Sequence, residues 1–186
     1  MEVYDAIVSR RSVRKYQSRP VGPEQLRSLI ECARLAPSGS NTQPWSFIVI
    51  RNRETRERMA KVCQQEWMLQ APVHLACVAD IRTRAAGQEA LVLDETSPQL
   101  DLKRIIRDTT IAIEHIVLQA ESIGLATCWV AYFQQADLRP VLSIPSDKYV
   151  VALLTVGYPA EKPEPKPRRS AEEVTFYERW DNRAAP

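Results

Sequence analysis

The feature that most limits the fold is a long helical segment at residues 103–122. Its inner positions recur at helical spacing, and Gly124 follows just beyond its end, as is typical of a helix C-terminus. Many positions on its other faces are also apolar, so the sequence predicts a central helix with other elements packed around it. The residues on the predicted inner face are Ile106, Thr109, Ile113, Ile116, Val117 and Ala120.

Short helices and strands alternate on both sides of that segment. Several brief, mostly apolar runs are typical of buried strands, and amphipathic helical segments separate them. No internal repeat or long linker divides the chain, so we predict a single α/β or α+β domain over residues 1–186. The predicted strands are residues 45–50, 73–78, 127–130 and 150–156.

Two segments lack a regular pattern. Residues 82–99 have no clear period, and we predict a loop or lid there. Residues 159–167 contain four prolines, which exclude a regular helix or a central strand. We therefore predict that the tail lies extended across a surface, and a second subunit could provide that surface.

The charge balance argues against several classes of partner. The 186 residues are 45% hydrophobic and 26% charged, as in globular domains, and the net charge is only +2. Such a chain has no general attraction for nucleic acid or an anionic membrane. No apolar run reaches the roughly 20 residues of a bilayer span, and the N-terminus does not resemble a secretion signal. We predict a cytoplasmic protein.

The spacing of the glycines excludes the common phosphate-binding loops. Of the five glycines, the closest two are Gly22 and Gly39, which are 17 positions apart, so neither GxGxxG nor GxxxxGK can occur. Side chains and ordinary loop amides would therefore have to hold any phosphate-bearing ligand. Arginine is the side chain best suited to this role.

A basic cluster follows the first predicted helix. Arg10, Ser12 and Arg14 are spaced by two, so in an extended chain they project to one side while Val13 projects to the other. Two guanidinium groups and a hydroxyl could then converge on one phosphate. Taken alone, a solvent-exposed basic patch is the simpler interpretation.

Residues 36–45 form a second unusual segment. They concentrate small polar side chains and free amides in a turn that precedes a hydrophobic strand. Such groups could hold the imide edge of a planar heterocycle, although an ordinary capped turn is the simpler alternative. Trp45 and Trp129 could stack on a ring, but buried tryptophans are more often part of a core.

The sequence provides no convincing catalytic acid, nucleophile or metal site. His74 lies in a predicted strand and His115 in the long helix, and neither has a partner at metal-ligand spacing. There is no GxSxG motif, and an enzyme with this sequence would rely on a cofactor. The cysteines, which form no CxxC pair, are predicted to be buried thiols: Cys32, Cys63, Cys77 and Cys128.

Together these segments resemble the FMN-dependent nitroreductase family. Residues 10–16 and residues 36–47 carry the specific part of the resemblance, and residues 124–129 and 166–168 support it. The motifs occur in the order found in the family and span nearly the whole chain. The resemblance implies an α+β fold with a mixed central sheet, and a homodimer with FMN at the subunit interface. It also implies that the tail, residues 158–186, wraps the partner subunit.

The resemblance further implies a set of FMN-binding residues. Arg10, Ser12 and Arg14, with Arg11 adjacent, would hold the phosphate and the ribityl or ring oxygens, and Arg168 from the tail would reach the phosphate. A second group would come from the opposite subunit: Pro37, Ser38, Gly39 and Asn41. The backbone amide of Ala131 would lie near flavin N5 and O4.

The implied activity is a ping-pong reaction. NADH or NADPH would pass a hydride to flavin N5, and a nitroaromatic, a quinone or a similar acceptor would then take it from the same position. Two alternatives remain open. One is a flavin enzyme of the same fold that uses oxygen or a dedicated metabolite. The other is a protein without redox activity that binds a phosphorylated ligand.

Overall fold

A computed structural model describes residues 1–85, 91–98 and 100–183. Residues 86–90 and 99, which belong to the predicted loop or lid, lie outside the described residues. The helices are α1 (Val3–Ser9), α2 (Pro23–Arg34), α3 (Arg53–Val62), α4 (Leu100–Ser122), α5 (Gln135–Leu142) and α6 (Ala171–Val174). The strands are β1 (Trp45–Ile50), β2 (Val73–Asp80), β3 (Ala126–Val130) and β4 (Lys148–Gly157). Short 3₁₀ turns occupy Gly39–Asn41, Glu66–Gln70 and Ile81–Thr83.

The four strands form one sheet in the order β1-β2-β4-β3, with β2 and β4 at its centre. In the described part of the chain, all three strand pairings are antiparallel, and one isolated bridge, between Ser12 and Thr127, is parallel. This arrangement confirms the α+β class. Two central strands extend beyond their predicted ends because Asp80 of β2 pairs with Lys148 of β4, whose Nζ lies 2.7 Å from Asp80 Oδ1. Because these two charged side chains neutralise each other, the pairing of β2 with β4 continues through polar residues at the strand ends.

Helices cover both faces of the sheet. Leu75 and Cys77 of β2 pack in the core formed with α2 and α4, whereas Ala76 and Val78 pack in the core formed with α3 and α5. This alternation follows from the two-residue period of a strand. Because each side chain of β2 meets a helical layer, the strand is buried almost throughout, as its mostly apolar sequence predicts.

The long helix occupies the central position that its sequence predicts. α4 contacts α1, α2 and all four strands, and residues such as Ile105, Ile113 and Ile116 have no exposed surface. It begins at Leu100, three residues before the predicted start. None of the described helices is both long enough and apolar enough to cross a membrane.

The histidines and cysteines belong to the packing of the domain. His74 in β2 is fully buried, and its Nε2 lies 2.9 Å from the carbonyl oxygen of Met68. His115 in α4 contacts the carbonyl oxygen of Cys32 through Nδ1 at 3.1 Å. Three cysteines are buried free thiols as predicted, whereas Cys32 is only half-buried. Burial raises the pKa of Cys63 to about 11, which keeps that thiol protonated at neutral pH.

The buried His74 gives stability a specific pH dependence. Burial lowers the pKa of His74 from 6.5 to about 4, so the unfolded chain binds a proton below pH 6.5 that the native protein excludes. The free energy of unfolding should therefore fall by about 1.4 kcal/mol per pH unit between pH 6.5 and 4 from this group, roughly 3 kcal/mol in all. In His74→Gln, the glutamine amide N–H can still donate to the Met68 carbonyl oxygen, but the side chain does not titrate. The free energy of unfolding of this variant should therefore fall less between pH 6.5 and pH 4. Urea unfolding at pH 6.5 and pH 4.5 would measure the difference; equal losses in both proteins would contradict the assignment.

Candidate functional site

A cleft of about 940 Å³ opens beside the end of α1. Its walls come from α1, from the chain that follows it, from Trp67 and Gln70, and from residues 161–168 of the tail. Among the described residues, two carboxylates line it, Glu161 and Glu164, against six basic side chains, so its charge is positive. The basic residues that line it are Arg10, Arg11, Arg14, Lys15, Lys166 and Arg168.

The extended segment after α1 orients the basic side chains. The Val13 N–H donates to the Thr127 carbonyl oxygen at 3.1 Å, next to the Ser12–Thr127 bridge. Val13 is only 4% exposed, whereas Ser12 and Arg14 on the other side of the segment are exposed and line the cleft. Residues 12 and 14 therefore project to one side and residue 13 to the other, as the sequence predicts. A backbone contact to β3 fixes which side chains face the cleft.

Arg11 and Arg10 have different roles in this wall. Arg11 Nη1 donates to the carbonyl oxygens of Val8, Ser9 and Arg10 at 2.8, 3.0 and 2.8 Å, so one end of its guanidinium caps the C-terminus of α1. The Arg10 guanidinium donates no hydrogen bond within the parts of the chain that the structure describes. Arg10 therefore keeps its whole guanidinium for an anion, whereas Arg11 commits Nη1 to the cap and keeps Nε, which has no partner among the described residues.

An aromatic ring lines the cleft, and a further carboxylate lies near Arg10. Burial raises the pKa of Glu114 on α4, and the nearby charge of Arg10 opposes that rise. The Arg14 guanidinium carbon lies 5.5 Å from the centre of the Trp67 ring, a cation–π distance. The Trp67 indole N–H donates to Gln65 at 3.0 Å, which fixes the ring. No local signal in the sequence connects Trp67 with Arg14, because they are 53 positions apart.

The tail reaches the cleft because the chain near Lys15 binds its first residues. Glu161 Oε1 accepts the N–H groups of Arg14 and Lys15 at 2.9 and 3.1 Å, and the Ala160 N–H donates to the Lys15 carbonyl oxygen at 2.9 Å. These contacts carry Lys166 and Arg168 into the cleft wall. The one described hydrogen bond of the Arg168 side chain goes to the neighbouring Pro167 carbonyl at 3.3 Å. Its guanidinium therefore keeps most of its donors for a ligand.

The turn after α2 lies outside this cleft. Three of its non-glycine residues have left-handed backbone, with φ of 55° at Ser40, 54° at Asn41 and 48° at Gln43. The Ser38 hydroxyl oxygen accepts the Gln43 N–H at 2.9 Å and closes the turn. Pro37, Gly39 and Asn41 are exposed, as is Ala131 after β3. None of these predicted site residues lines the cleft within this subunit, and their contribution through a partner stays a prediction.

The tryptophans next to these segments are part of the core. Trp45 and Trp129 are half-buried and pack against the cluster formed by α2, α4 and the sheet. This favours the packing interpretation over ring stacking. No group of His, Cys, Asp and Glu side chains in the described ranges has an arrangement that could hold a metal ion.

The cleft is suited to a phosphate-bearing anion. Arginines that are far apart in the sequence meet there, a serine hydroxyl lies beside them, and no glycine-rich loop is involved. A model of the nitroreductase family matches residues 7–158, which include this basic segment, the turn after α2 and β3. This chain belongs to the nitroreductase family. Arg168 and the rest of the tail lie beyond the matched residues.

Relatives of this nitroreductase-family chain cover most of its length. A protein of Methanothermobacter thermautotrophicus with the provisional name NADH dehydrogenase/NAD(P)H nitroreductase is 33% identical over 172 residues, which are 88% of this chain and 80% of the relative. The FMN reductase [NAD(P)H] of Bacillus subtilis is 29% identical over 187 residues, 97% of this chain and 75% of that protein. A crystal structure of a nitroreductase family protein of Clostridium difficile 630 has a TM-score of 0.79 and 30% identity, covering 96% of this chain and 99% of that one.

The contact between the tail and residue 15 can be tested by removing its acceptor. Glu161→Ala would leave the N–H groups of Arg14 and Lys15 without their carboxylate, so the tail should detach more often. Trypsin cleavage after Arg168 and Arg169 should accelerate severalfold. Glu164→Ala is the matched control, because Glu164 lines the same cleft but accepts no hydrogen bond among the described residues. Equal cleavage rates in the two variants would contradict the role given to Glu161.

Proposed function

We propose that this protein is an FMN-dependent oxidoreductase that uses NADH or NADPH to reduce a nitroaromatic, a quinone or a similar acceptor. The observation that carries the proposal is the convergence of Arg10, Arg14 and Arg168 on one open cleft in a chain of the nitroreductase family. The B. subtilis relative named as an FMN reductase supports the choice of cofactor.

The donors in the cleft fit the phosphate of FMN. A phosphate dianion needs several strong donors, and the side chains of Arg10, Ser12 and Arg168 supply them. Arg14 adds positive charge beside the Trp67 ring, which gives the same cleft an apolar surface. Arg11 contributes differently from the other arginines, since its cap on α1 holds the helix end that bears Arg10. Side chains thus replace the glycine-rich cradle that this sequence lacks.

The flavin ring would be held by other segments. In the proposed dimer, Pro37, Ser38, Gly39 and Asn41 come from the partner subunit, and the backbone of Ala131 lies near the ring edge. The exposure of Pro37, Gly39, Asn41 and Ala131 supports this arrangement, because each is accessible to a group outside its own subunit. Bound FMN supplies hydride transfer at N5, from the nicotinamide and then to the acceptor, in ping-pong order.

The protein's own contribution is to bind, orient and stabilise charge. His74 is fully buried in β2, and the His115 imidazole contacts the carbonyl oxygen of Cys32 in α2, so neither is placed to move a proton in the cleft. Fixed cations and amides favour the added negative charge of the reduced cofactor, which is electrostatic preorganisation. No side-chain acid or base is required by this account.

A homodimer is part of the proposal. Beyond the cleft, the tail exposes large apolar side chains, with Val174 51% and Trp180 76% accessible. Such side chains are costly to leave in water, and the face of a second copy would cover them. Sedimentation equilibrium should therefore find a dimer, and an FMN-loaded monomer at all concentrations would contradict this part of the proposal.

The phosphate contacts predict a selective loss of affinity. Arg10→Ala and Arg168→Ala each remove a charge-assisted contact of roughly 1.5–3 kcal/mol, so the Kd for FMN should rise about ten- to hundred-fold. Riboflavin, which lacks the phosphate, should lose little affinity in the same variants. Fluorescence titration of both ligands would measure this difference.

Arg169→Ala is the control for these variants, because Arg169 is an adjacent exposed arginine that does not line the cleft. It should bind FMN as the wild-type protein does. Equal FMN affinity in the wild-type protein and in both cleft variants would show that the basic cluster is only a solvent-exposed face. Tight binding of a phosphorylated ligand without any affinity for FMN would favour the alternative without redox chemistry.

A further inference from the structure

A buried ion pair holds the Gly39 peptide in the turn after α2. Asp108 of α4 is only 4% exposed, and its Oδ2 accepts the Gly39 N–H at 3.1 Å. Arg84, which follows the 3₁₀ turn after β2, donates from Nη2 to the same Asp108 oxygen at 3.2 Å and to the Gly39 carbonyl oxygen at 2.7 Å. Both polar groups of residue 39 are therefore bound by this pair.

The close approach of Arg84 leaves little room at residue 39. A Cβ atom at this position would collide with the Arg84 guanidinium, which would have to shift away from its partners. The φ angle of Gly39 is not in the left-handed region, so its backbone conformation alone does not require glycine. A second carboxylate oxygen of Asp108 lies 3.9 Å from Arg107, and this contact to an exposed side chain adds little.

The turn needs such support because its backbone is strained. Left-handed backbone is unfavourable for a non-glycine residue, and Ser40, Asn41 and Gln43 all adopt it. A buried carboxylate is also costly unless it is paired and hydrogen-bonded. Asp108 therefore depends on its contacts to Arg84 and to the Gly39 N–H, and the strained turn supplies one of them. This combination indicates a constraint on the shape of the turn itself.

We propose that Arg84 and Asp108 are positioning residues for the flavin. By binding both polar groups of Gly39, they fix residues 38–43 in the conformation that presents the turn to the isoalloxazine ring in the partner subunit. The inference rests on the proposed function, since it assumes that this turn meets the ring. It assigns a role to two residues that have no direct contact with the phosphate cleft.

The same ion pair links the turn to the irregular segment after β2. Ile81, three residues before Arg84, is packed in a core cluster with Leu93 and Ile105. On the far side of residues 86–90, Leu93 is fully buried, and its carbonyl oxygen accepts from Arg139 at 2.7 Å. The residues that flank this segment are therefore anchored on both sides. Arg84 connects the packed residues before this segment to the turn through the Gly39 carbonyl oxygen. A substitution of Arg84 should therefore loosen the turn.

Hydrogen exchange on the protein without cofactor tests the ion pair directly. Arg84→Ala should accelerate exchange of the amides at residues 38–43 by tenfold or more, and Asp108→Asn should do so to a smaller extent because its amide oxygen can still accept from Gly39. Arg84→Lys keeps a cation and should recover part of the protection. Arg104→Ala is the control, since it removes an arginine from a more exposed ion pair with Asp101 on α4. Unchanged exchange in Arg84→Ala would overturn the proposal.

Flavin binding then tests the positioning role. In Arg84→Ala the Kd values for FMN and riboflavin should rise by the same factor, because the phosphate contacts are intact. The visible circular dichroism of bound FMN should change, and kcat should fall about tenfold, with partial rescue by Arg84→Lys. Faster exchange together with wild-type dichroism and kcat would overturn the role in positioning. A wild-type protein that binds no FMN would instead refute the proposed function, and the role toward flavin with it, so the two failures are distinguishable.

Discussion

The arrangement of the candidate site depends on how residues 12–17 are held between β3 and the start of the tail. The Val13 N–H binds the carbonyl of Thr127, and the Gln17 N–H binds the carbonyl of Tyr158 at 2.9 Å. Between them, the Tyr16 hydroxyl lies 2.7 Å from Thr155 Oγ1 and donates to the Val13 carbonyl oxygen at 2.7 Å. Burial raises the pKa of Tyr16 well above its usual range, so the phenol stays protonated and can donate. A short extended segment thereby becomes a rigid support for the basic side chains.

Local patterns were sufficient to predict most of the fold. The 3.6-residue period of α4, the apolar runs of the strands and the prolines of the tail are all properties of neighbouring residues, and the structure agrees with them. The differences come from contacts between distant residues. The ion pair between Asp80 and Lys148 extends β2 and β4 over polar positions that no apolar run marks. The position of Trp67 against Arg14 likewise depends on the fold as a whole.

The candidate site follows the same division. The alternation at residues 10–14 could be predicted because it needs only an extended backbone, and the structure places Arg10, Ser12 and Arg14 in one cleft with Arg168. The capping role of Arg11 requires the exact path of the chain at the end of α1. Asp108 appears in the sequence as one acidic residue in a helix, and its partners Arg84 and Gly39 are 24 and 69 positions away. Sequence reasoning therefore found the side chains that face a ligand more readily than those that support them.

If this chain works as an FMN-dependent oxidoreductase, it binds FMN and a nicotinamide nucleotide reduces the bound flavin. The most direct measurement is stopped-flow absorbance of the purified, FMN-loaded protein mixed anaerobically with NADH and, separately, with NADPH. We expect the flavin absorbance to fall with at least one of the two donors and to return when a quinone or a nitroaromatic is added. Flavin absorbance that neither nicotinamide changes would show that the protein is not such an oxidoreductase.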